Sequence, residues 1–346
     1  NTADPATFAE AVTIIRDRFG LAQMVLVGDR GMITSARIEA LRQLPDGAGM
    51  GWLTCLRARQ IAALAAEDGP LQMSLFDQHD LAEIVHPDYP GERLIACRNP
   101  ALADERARKR ADLLHSTEDL LSPIIAAVTD ARLTGAAAIA LRVGKLVDKY
   151  KMAKHLDVAI TDTTLTITRR QASIDAEAAL DGIYVIRTSA PANQLHPAAV
   201  VTAYKNLSHV ERDFRTLKTD DLDLRPIHHR LEDRVKAHVL ICMLAAYLVW
   251  HLRHTWAPLT YTDQQPPTRD NPVAAAVRST TAAHKASRHR DDHDEPVRSF
   301  RGLLDHLATL TRNDIQHGQH TDAPIVPTLT IPTPTQRRAF ELLHTP

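Results

Sequence analysis

The run QMVLVGDRG ends an apolar stretch on Asp29, and the run YKNLSHVERDFRTLK places Tyr204, Glu211 and Lys218 seven residues apart. Those residue types suit one kind of chemistry. Carboxylate oxygens hold hard divalent cations such as Mg²⁺, and a phenol and an ammonium group can hold the oxyanion that such a cation serves. A short apolar strand that ends in Gly-Asp-Arg-Gly puts Asp29 at its carboxyl end, where α/β sheets place their ligands. Seven residues advance an α-helix by almost two whole turns, so Tyr204, Glu211 and Lys218 fall on one stripe about 10 Å apart. Val200, Ala203, Leu207 and Phe214 lie on or beside that stripe, which makes it the side expected to pack on the protein. Two readings follow. Glu211 pairs with Arg215 at i,i+4 on a solvated face, or it is aimed into a cleft, where a carboxylate requires a cation. Asp29 divides likewise, between a turn residue ahead of a helix and a ligand.

The elements that must position these groups are set by an ordinary globular composition. The chain has 346 residues, 44% hydrophobic and 24% charged, with net charge -1. That length predicts two or three folded units, and the near-zero charge means that any nucleic-acid partner is held by local patches. The three cysteines, Cys55, Cys97 and Cys242, are too few and too scattered for a disulfide framework or a CxxC zinc site. No phosphate-binding GxGxxG or P-loop occurs, so no nucleotide cofactor is indicated. No signal peptide is visible. The longest apolar run, Val239 to Trp250, is short for a bilayer and is expected to form a buried helix. Together these features predict a cytoplasmic protein with no membrane partner.

Periodicity predicts a helix over PATFAEAVTIIRDRFGL, a buried strand ending at Asp29 and a second helix over SARIEALRQL, with Ser35 as its cap. From residue 52 short strand-like runs appear: WLTCLR, LQMSLF, LAEIVH and ERLIACR. A long helix is expected from about Leu102 to Val128, an extended strand over DVAITDTTLTITRRQ, and another over GIYVIRTS. Residues 52–180 therefore read as an insert rich in strands. Helices return over 196–218, as one continuous element, and over Leu231 to His254. Beyond them, APLTYTDQQPPTRDNP and STTAAHKASRHRDDHDEP read as linkers, followed by short terminal helices. Arg288 to Pro296 brings His and Asp close together, and a charged linker is the reading preferred to a metal site. Ser173 and Ser189 belong to no nucleophile motif. Basic clusters occur at Arg106, Arg108, Lys109 and Arg110, and at Arg142, Lys145, Lys149, Lys151 and Lys154; both read either as solvated helix faces or as DNA-backbone contacts.

The Tyr204–Lys218 stretch resembles the Tyr-(2)-Arg-(3)-Glu-(6)-Lys signature of bacterial insertion-sequence transposases of the DDE class. Tyr204, Glu211 and Lys218 match it, while Leu207 stands where the signature has Arg. VLVGDRG resembles the family's strand that ends in Asp, and NTADPATF its Asn-Thr-x-Asp segment. The resemblance runs through most of residues 1–255. It implies an α/β fold: an RNase H-like core formed by residues 1–51 and 181–255, a β-rich insertion domain at 52–180, and a linker with C-terminal helices at 256–346. It implies nicking of element ends and joining to target DNA by two Mg²⁺ ions, with Mn²⁺ as substitute, which clamp the attacking and leaving oxygens of an in-line displacement. Asp29 and Glu211 would be catalytic metal ligands. Tyr204, Lys218, Arg215, Lys149 and Lys151 would contact double-stranded DNA, with a homodimer in the DNA complex. The family's first acid lies on a strand upstream of the Asn-Thr-x-Asp segment, where this sequence starts. The core is therefore expected to lack its first strands, and the chain by itself to bind DNA without cleaving it. The alternatives are a truncated, inactive DNA-binding remnant and an unrelated metal-dependent phosphodiesterase.

Overall fold

The computed structural model describes residues 4–21, 24–42, 50–220, 222, 224–269, 271–316 and 325–344. The Asn-Thr part of the N-terminal motif lies outside the described residues. The chain divides into two compact units, one of residues 1–207 with 271–275, the other of 208–270 with 276–346.

In chain order the first unit contains α1 (Asp4–Phe19), β1 (Met24–Val27), α2 (Ser35–Arg42), β2 (Met50–Cys55), α3 (Ala58–Leu64), β3 (Leu81–Ile84) and β4 (Arg93–Arg98). There follow α4 (Pro100–Thr129), α5 (Ala136–Leu146), β5 (Leu156–Ile160), β6 (Leu165–Arg169), α6 (Gln171–Ala178), β7 (Ile183–Thr188) and α7 (Pro197–Lys205). Five strands form one mixed sheet in the order β1-β2-β7-β4-β3. β1 runs parallel to β2, and the other pairings are antiparallel. The pleat sends alternate residues to opposite faces. Ile95, Cys97 and Ile186 pack with Val200 and Val201 of α7 on one face. Leu94, Ala96, Ile183 and Val185 pack with Ile61 and Leu64 of α3 on the other. Met50 and Trp52 of β2 meet Val12 of α1 and Ile38 and Leu41 of α2. Because both faces are covered, β4 reads as a continuous apolar run rather than an alternating one.

The strands at residues 50–98 extend the sheet that carries Asp29. The change of texture at residue 52 is therefore not a change of sheet. Within 52–180 only the hairpin β5–β6 stands outside it. That hairpin packs with α4 and α5 around Leu121 and Ile139. The expected single strand over 157–171 folds back on itself because Thr161 turns the chain: its hydroxyl accepts the Thr164 N–H at 3.0 Å. LQMSLF forms a 3-10 turn at Met73–Phe76 rather than a strand.

The second unit holds α8 (Leu207–Arg215), whose first residue belongs to the first unit, then α9 (Glu232–Thr255), α10 (Thr280–Arg288), α11 (Phe300–Leu307), β8 (Arg312–Gln316), β9 (Ile325–Leu329) and α12 (Pro334–His344). Trp256, Leu259, Leu303 and Ala339 form its core. Three sequence expectations change here. The helix expected over 196–218 is interrupted at Asn206 and ends in a π-helical turn, Thr216–Asp220. STTAAHKASR is helix α10, capped by the Ser279 hydroxyl, and not a linker. Residues 290–296 form an ordered turn in which the Asp291 carboxylate accepts the N–H groups of His293 and Glu295, each at 2.9 Å. A fourth change concerns α9: among its residues only Cys242 is buried, so the apolar run at 239–250 is not a core helix. α9 is long and apolar enough to cross a membrane by length and composition, but its apolar run of 12 residues covers about 18 Å, well short of a hydrocarbon core about 30 Å thick.

Candidate active site

β1 delivers Asp29 to its carboxyl end, as the sequence predicts. The Gly28 N–H continues the ladder by donating to Leu53 C=O at 3.1 Å. A Cβ on Gly28 would come within 2.9 Å of Ile33 Cγ1, so glycine is required where the chain turns over its own buried Ile33. Asp29 Oδ1 then accepts the N–H groups of Gly31 at 2.9 Å and Met32 at 2.7 Å. This is the turn-forming role weighed against a ligand role, and it occupies one oxygen only. Asp29 is exposed, and Oδ2 has no hydrogen bond among the described residues.

At its C-terminal end α2 is tied to the sheet. Arg42, in the last turn of α2, donates to Glu92 Oε1 at 2.7 Å, and Arg187 of β7 grips the same carboxylate through Nε at 2.6 Å and Nη2 at 2.5 Å. Glu92 is buried, and its charge is affordable only because two guanidinium groups share it. Arg187 also lies 5.0 Å from the Tyr89 ring centroid. These residues line a cavity of about 360 Å³ together with Gln60, Asp88 and Glu39. Sequence reasoning missed Glu92 and Arg187. Neither belongs to a motif, and only the strand register shows that Arg187 faces the interior.

Tyr204, on α7, sits half-buried beside the same strand end. Burial is the main force that raises its phenol pKa. The Cys55 thiol, to which it is hydrogen-bonded, and the Asp29 carboxylate push it further up, while Arg30 opposes them. Tyr204 is therefore a neutral hydrogen-bond donor within electrostatic reach of Asp29. Burial likewise raises Cys55 and drives Cys97 up to about 12, so neither thiol is a thiolate nucleophile at neutral pH.

Glu211 and Arg215 are exposed on α8. Lys218 falls inside the π-helical turn, with Nζ 5.5 Å from the Phe214 ring centroid. The wider turn takes Lys218 off the 3.6-residue rotation assumed for the stripe. Phe214 is 54% exposed, so that side of α8 does not pack as expected. Asp29 and Tyr204 belong to the first unit, and Glu211, Arg215 and Lys218 to the second. Among the described residues no group of three His, Cys, Asp or Glu side chains gathers into a metal site.

Lys149 and Lys151 are exposed beyond the end of α5; Lys151 lies 3.7 Å from Asp148, and Lys149 stands 5.4 Å from the Tyr150 ring. In the other basic cluster, Arg110 is buried and bound to Asp181 at 3.0 and 2.5 Å, a structural ion pair. Asp4 and Asp17 lie on α1, not on a strand.

The first unit is mixed α/β, with a carboxylate at the carboxyl end of a strand and a neutral tyrosine near it, and a carboxylate-bearing helix follows in sequence. The family model described as the transposase DDE domain matches residues 1–248. The chain belongs to that family, the DDE-class transposases of insertion sequences. No curated protein and no solved structure matches it. Membership makes DNA the substrate, and divalent metal ions are in general use among such enzymes.

Proposed function

We propose that this transposase cuts element ends and joins them to target DNA, with Asp29 and Glu211 as catalytic carboxylates. The observation that carries the reading is Asp29 at the end of β1, with one oxygen fixed by the turn and the other unengaged. The donor chemistry fits a hard cation: both groups are exposed carboxylates, and Mg²⁺ accepts one or two such ligands with water and phosphate oxygens completing its shell. When bound, the ions would stabilise the charge that develops on the attacking and leaving oxygens. Asp29 would present Oδ2 to an ion while Oδ1 stays on the Gly31 and Met32 N–H groups. Tyr204, neutral, would donate to a phosphate oxygen. Lys218 and Arg215 would hold the strand that follows, and Leu207 supplies no charge where the family signature has Arg. A pair of chains would assemble on the two element ends.

The core is proposed to be RNase H-like. Its support is the parallel pair β1–β2 with helices on both faces. Among the described residues β1 is an edge strand with an apolar sequence, the kind of edge that proteins usually cover.

The test uses the 346-residue chain with Mg²⁺ or Mn²⁺ and duplex DNA carrying the element's ends. Nicking at the ends that disappears in both Asp29→Asn and Glu211→Gln supports the reading. Nicking that survives either substitution overturns the assignment of that residue. Binding without nicking favours the non-catalytic remnant. Cleavage of DNA without element ends favours the unrelated phosphodiesterase.

A further inference from the structure

Several exposed cations of the first unit have a carboxylate partner. Arg169 binds Glu118 at 2.7 Å, Arg170 binds Asp157 at 2.6 Å, Arg132 binds Asp130 at 2.7 Å, and Lys154 binds Glu177. Even Lys151 has Asp148 at 3.7 Å. Arg106, Arg108 and Lys109 of α4 have no such partner among the described residues, but Asp104, Glu105 and Asp112 lie beside them in sequence; the end of α5 differs in lacking such acids. From Ala136 to Val147 the sequence contains no acid. Arg142 and Lys145 are exposed three residues apart, which puts them on one side of the helix. Val147 continues in helical conformation, and Lys149 follows, also exposed. None of the three has a carboxylate within ion-pair distance among the described residues; the only contact of that kind is Lys149 over the Tyr150 ring. The opposite side of α5 is fixed: Ile139 and Val143 are buried in the core formed with α4 and the β5–β6 hairpin. Asp162 is at the far end, where its carboxylate accepts the Ala136 N–H at 2.9 Å, and Asp148, just past the helix, lies 3.7 Å from Lys151.

A cation at a helix C-terminus gains a few tenths of a kcal/mol from the dipole, and that accounts for one such residue, not for three beside a helix without an acid. A rigid helix that presents unpaired cations on one side is suited to a row of phosphates, because each cation is free to displace a condensed counterion. We infer that Arg142, Lys145 and Lys149 form a phosphate-contact strip for the DNA backbone, distinct from Asp29 and Tyr204 in function and independent of sequence. Lys151 is left out of the strip because Asp148 offsets its charge. The inference rests on the reading of the chain as a DNA-processing protein and adds where, away from the reacting strand, the duplex is held.

The experiment measures binding of the full chain to a fluorescent duplex of arbitrary sequence between 50 and 300 mM KCl. Arg142→Gln, Lys145→Gln and Lys149→Gln are combined in one variant. The control variant combines Arg132→Gln, Lys236→Gln and Arg301→Gln, three exposed cations that already have carboxylate partners, so the net charge change is the same. Each phosphate contact contributes about 0.9 to the slope of log K against log salt, so the strip variant should lose about 2.7 from the slope, and the control should lose little. A charge-retaining variant, Arg142→Lys with Lys145→Arg and Lys149→Arg, should keep the wild-type slope. Circular dichroism and the melting midpoint, unchanged in all three, guard against misfolding. Equal slopes in the strip and control variants overturn the strip and leave the proposed function intact. A wild-type chain that shows no salt-dependent binding overturns both.

Discussion

Strand β4 and helix α9 both carry apolar runs, and they meet water in opposite ways. Leu94, Ile95, Ala96 and Cys97 of β4 are all at 0% exposure. Leu240, Ile241, Met243, Leu244, Tyr247, Leu248 and Trp250 of α9 are each more than half exposed. Composition alone would rank the two alike. The difference lies in partners. β4 has a strand on either side, β7 and β3, and a helix on each face of its sheet. α9 is apolar all round, a pattern that belongs to helices enclosed on every side, yet among the described residues only Cys242 is enclosed. A hydrophobic run specifies that an element gains by being covered. It does not specify what covers it.

The sharpest way to break the comparison is to disturb charge inside the covered region. Glu92 and Arg187 are buried beside the sheet, and their ion pair holds only while both partners remain. Arg187→Ala would leave Glu92 with Arg42 alone, and breaking a buried pair costs about 3–5 kcal/mol. A fall of that size is expected in the urea midpoint of the first unit. Replacing both partners, Glu92→Gln with Arg187→Met, should recover part of the loss, because no unpaired charge is left buried. A loss below about 1 kcal/mol in Arg187→Ala would mean that water enters this region and that the contrast with α9 is one of degree.

A smaller effect should come from His155, which is buried under the β5–β6 hairpin. Nδ1 lies 3.0 Å from Ser173 Oγ and Nε2 3.2 Å from Glu177 Oε2. Lys154 and Arg110 face the same carboxylate. Burial lowers the histidine pKa, Glu177 opposes that shift, and Lys154 and Arg110 add to it. The folded state therefore favours neutral imidazole. The unfolded chain takes up a proton first as pH falls below about 6.5, so stability present above that value is lost on the way down to the lowered folded pKa. His306, in the second unit, is shifted in the same direction, by burial first and by Arg298. Melting of wild type and His155→Gln at pH 7.5 and 5.5 separates the two, and the variant should lose less stability on acidification. Equal losses would assign the pH dependence elsewhere.

What could be read from the sequence follows the same division. α1, α4, β7 and the strand end at Asp29 were legible because periodicity, glycine punctuation and length are local signals. The interruption at Asn206 and the π-helical turn at Thr216–Asp220 were not, since a 3.6-residue stripe runs unbroken through both in the sequence. Asp29 was legible as a residue at the end of a strand, and the buried ion cluster of Arg42, Glu92 and Arg187 was not, because its members come from three separate segments. The role of β2, β3 and β4 as extensions of the Asp29 sheet, rather than an insert of their own, depends on pairings between distant strands. The exposure of α9 was hidden for the complementary reason: its sequence carries the demand for burial but not the partner.

The smallest expected effect tests α9 itself. Leu244 is 60% exposed, so Leu244→Ser removes little buried area and should change stability by no more than about 0.5 kcal/mol. In β4, where Leu94 is at 0% exposure, the corresponding truncation to Ala removes a buried side chain and leaves a cavity, at about 2–5 kcal/mol. Stability alone would then show only that one leucine is inside and the other outside. A second reading is needed to show that the exposed one matters to the surface. Contiguous exposed apolar area binds hydrophobic dyes, and scattered single residues do not. Leu240→Ser, Leu244→Ser and Leu248→Ser combined should cut dye fluorescence of the native chain markedly while the melting midpoint stays within a few degrees. If the triple variant instead unfolds at a much lower temperature, α9 is covered in solution, and the difference between the two apolar runs disappears.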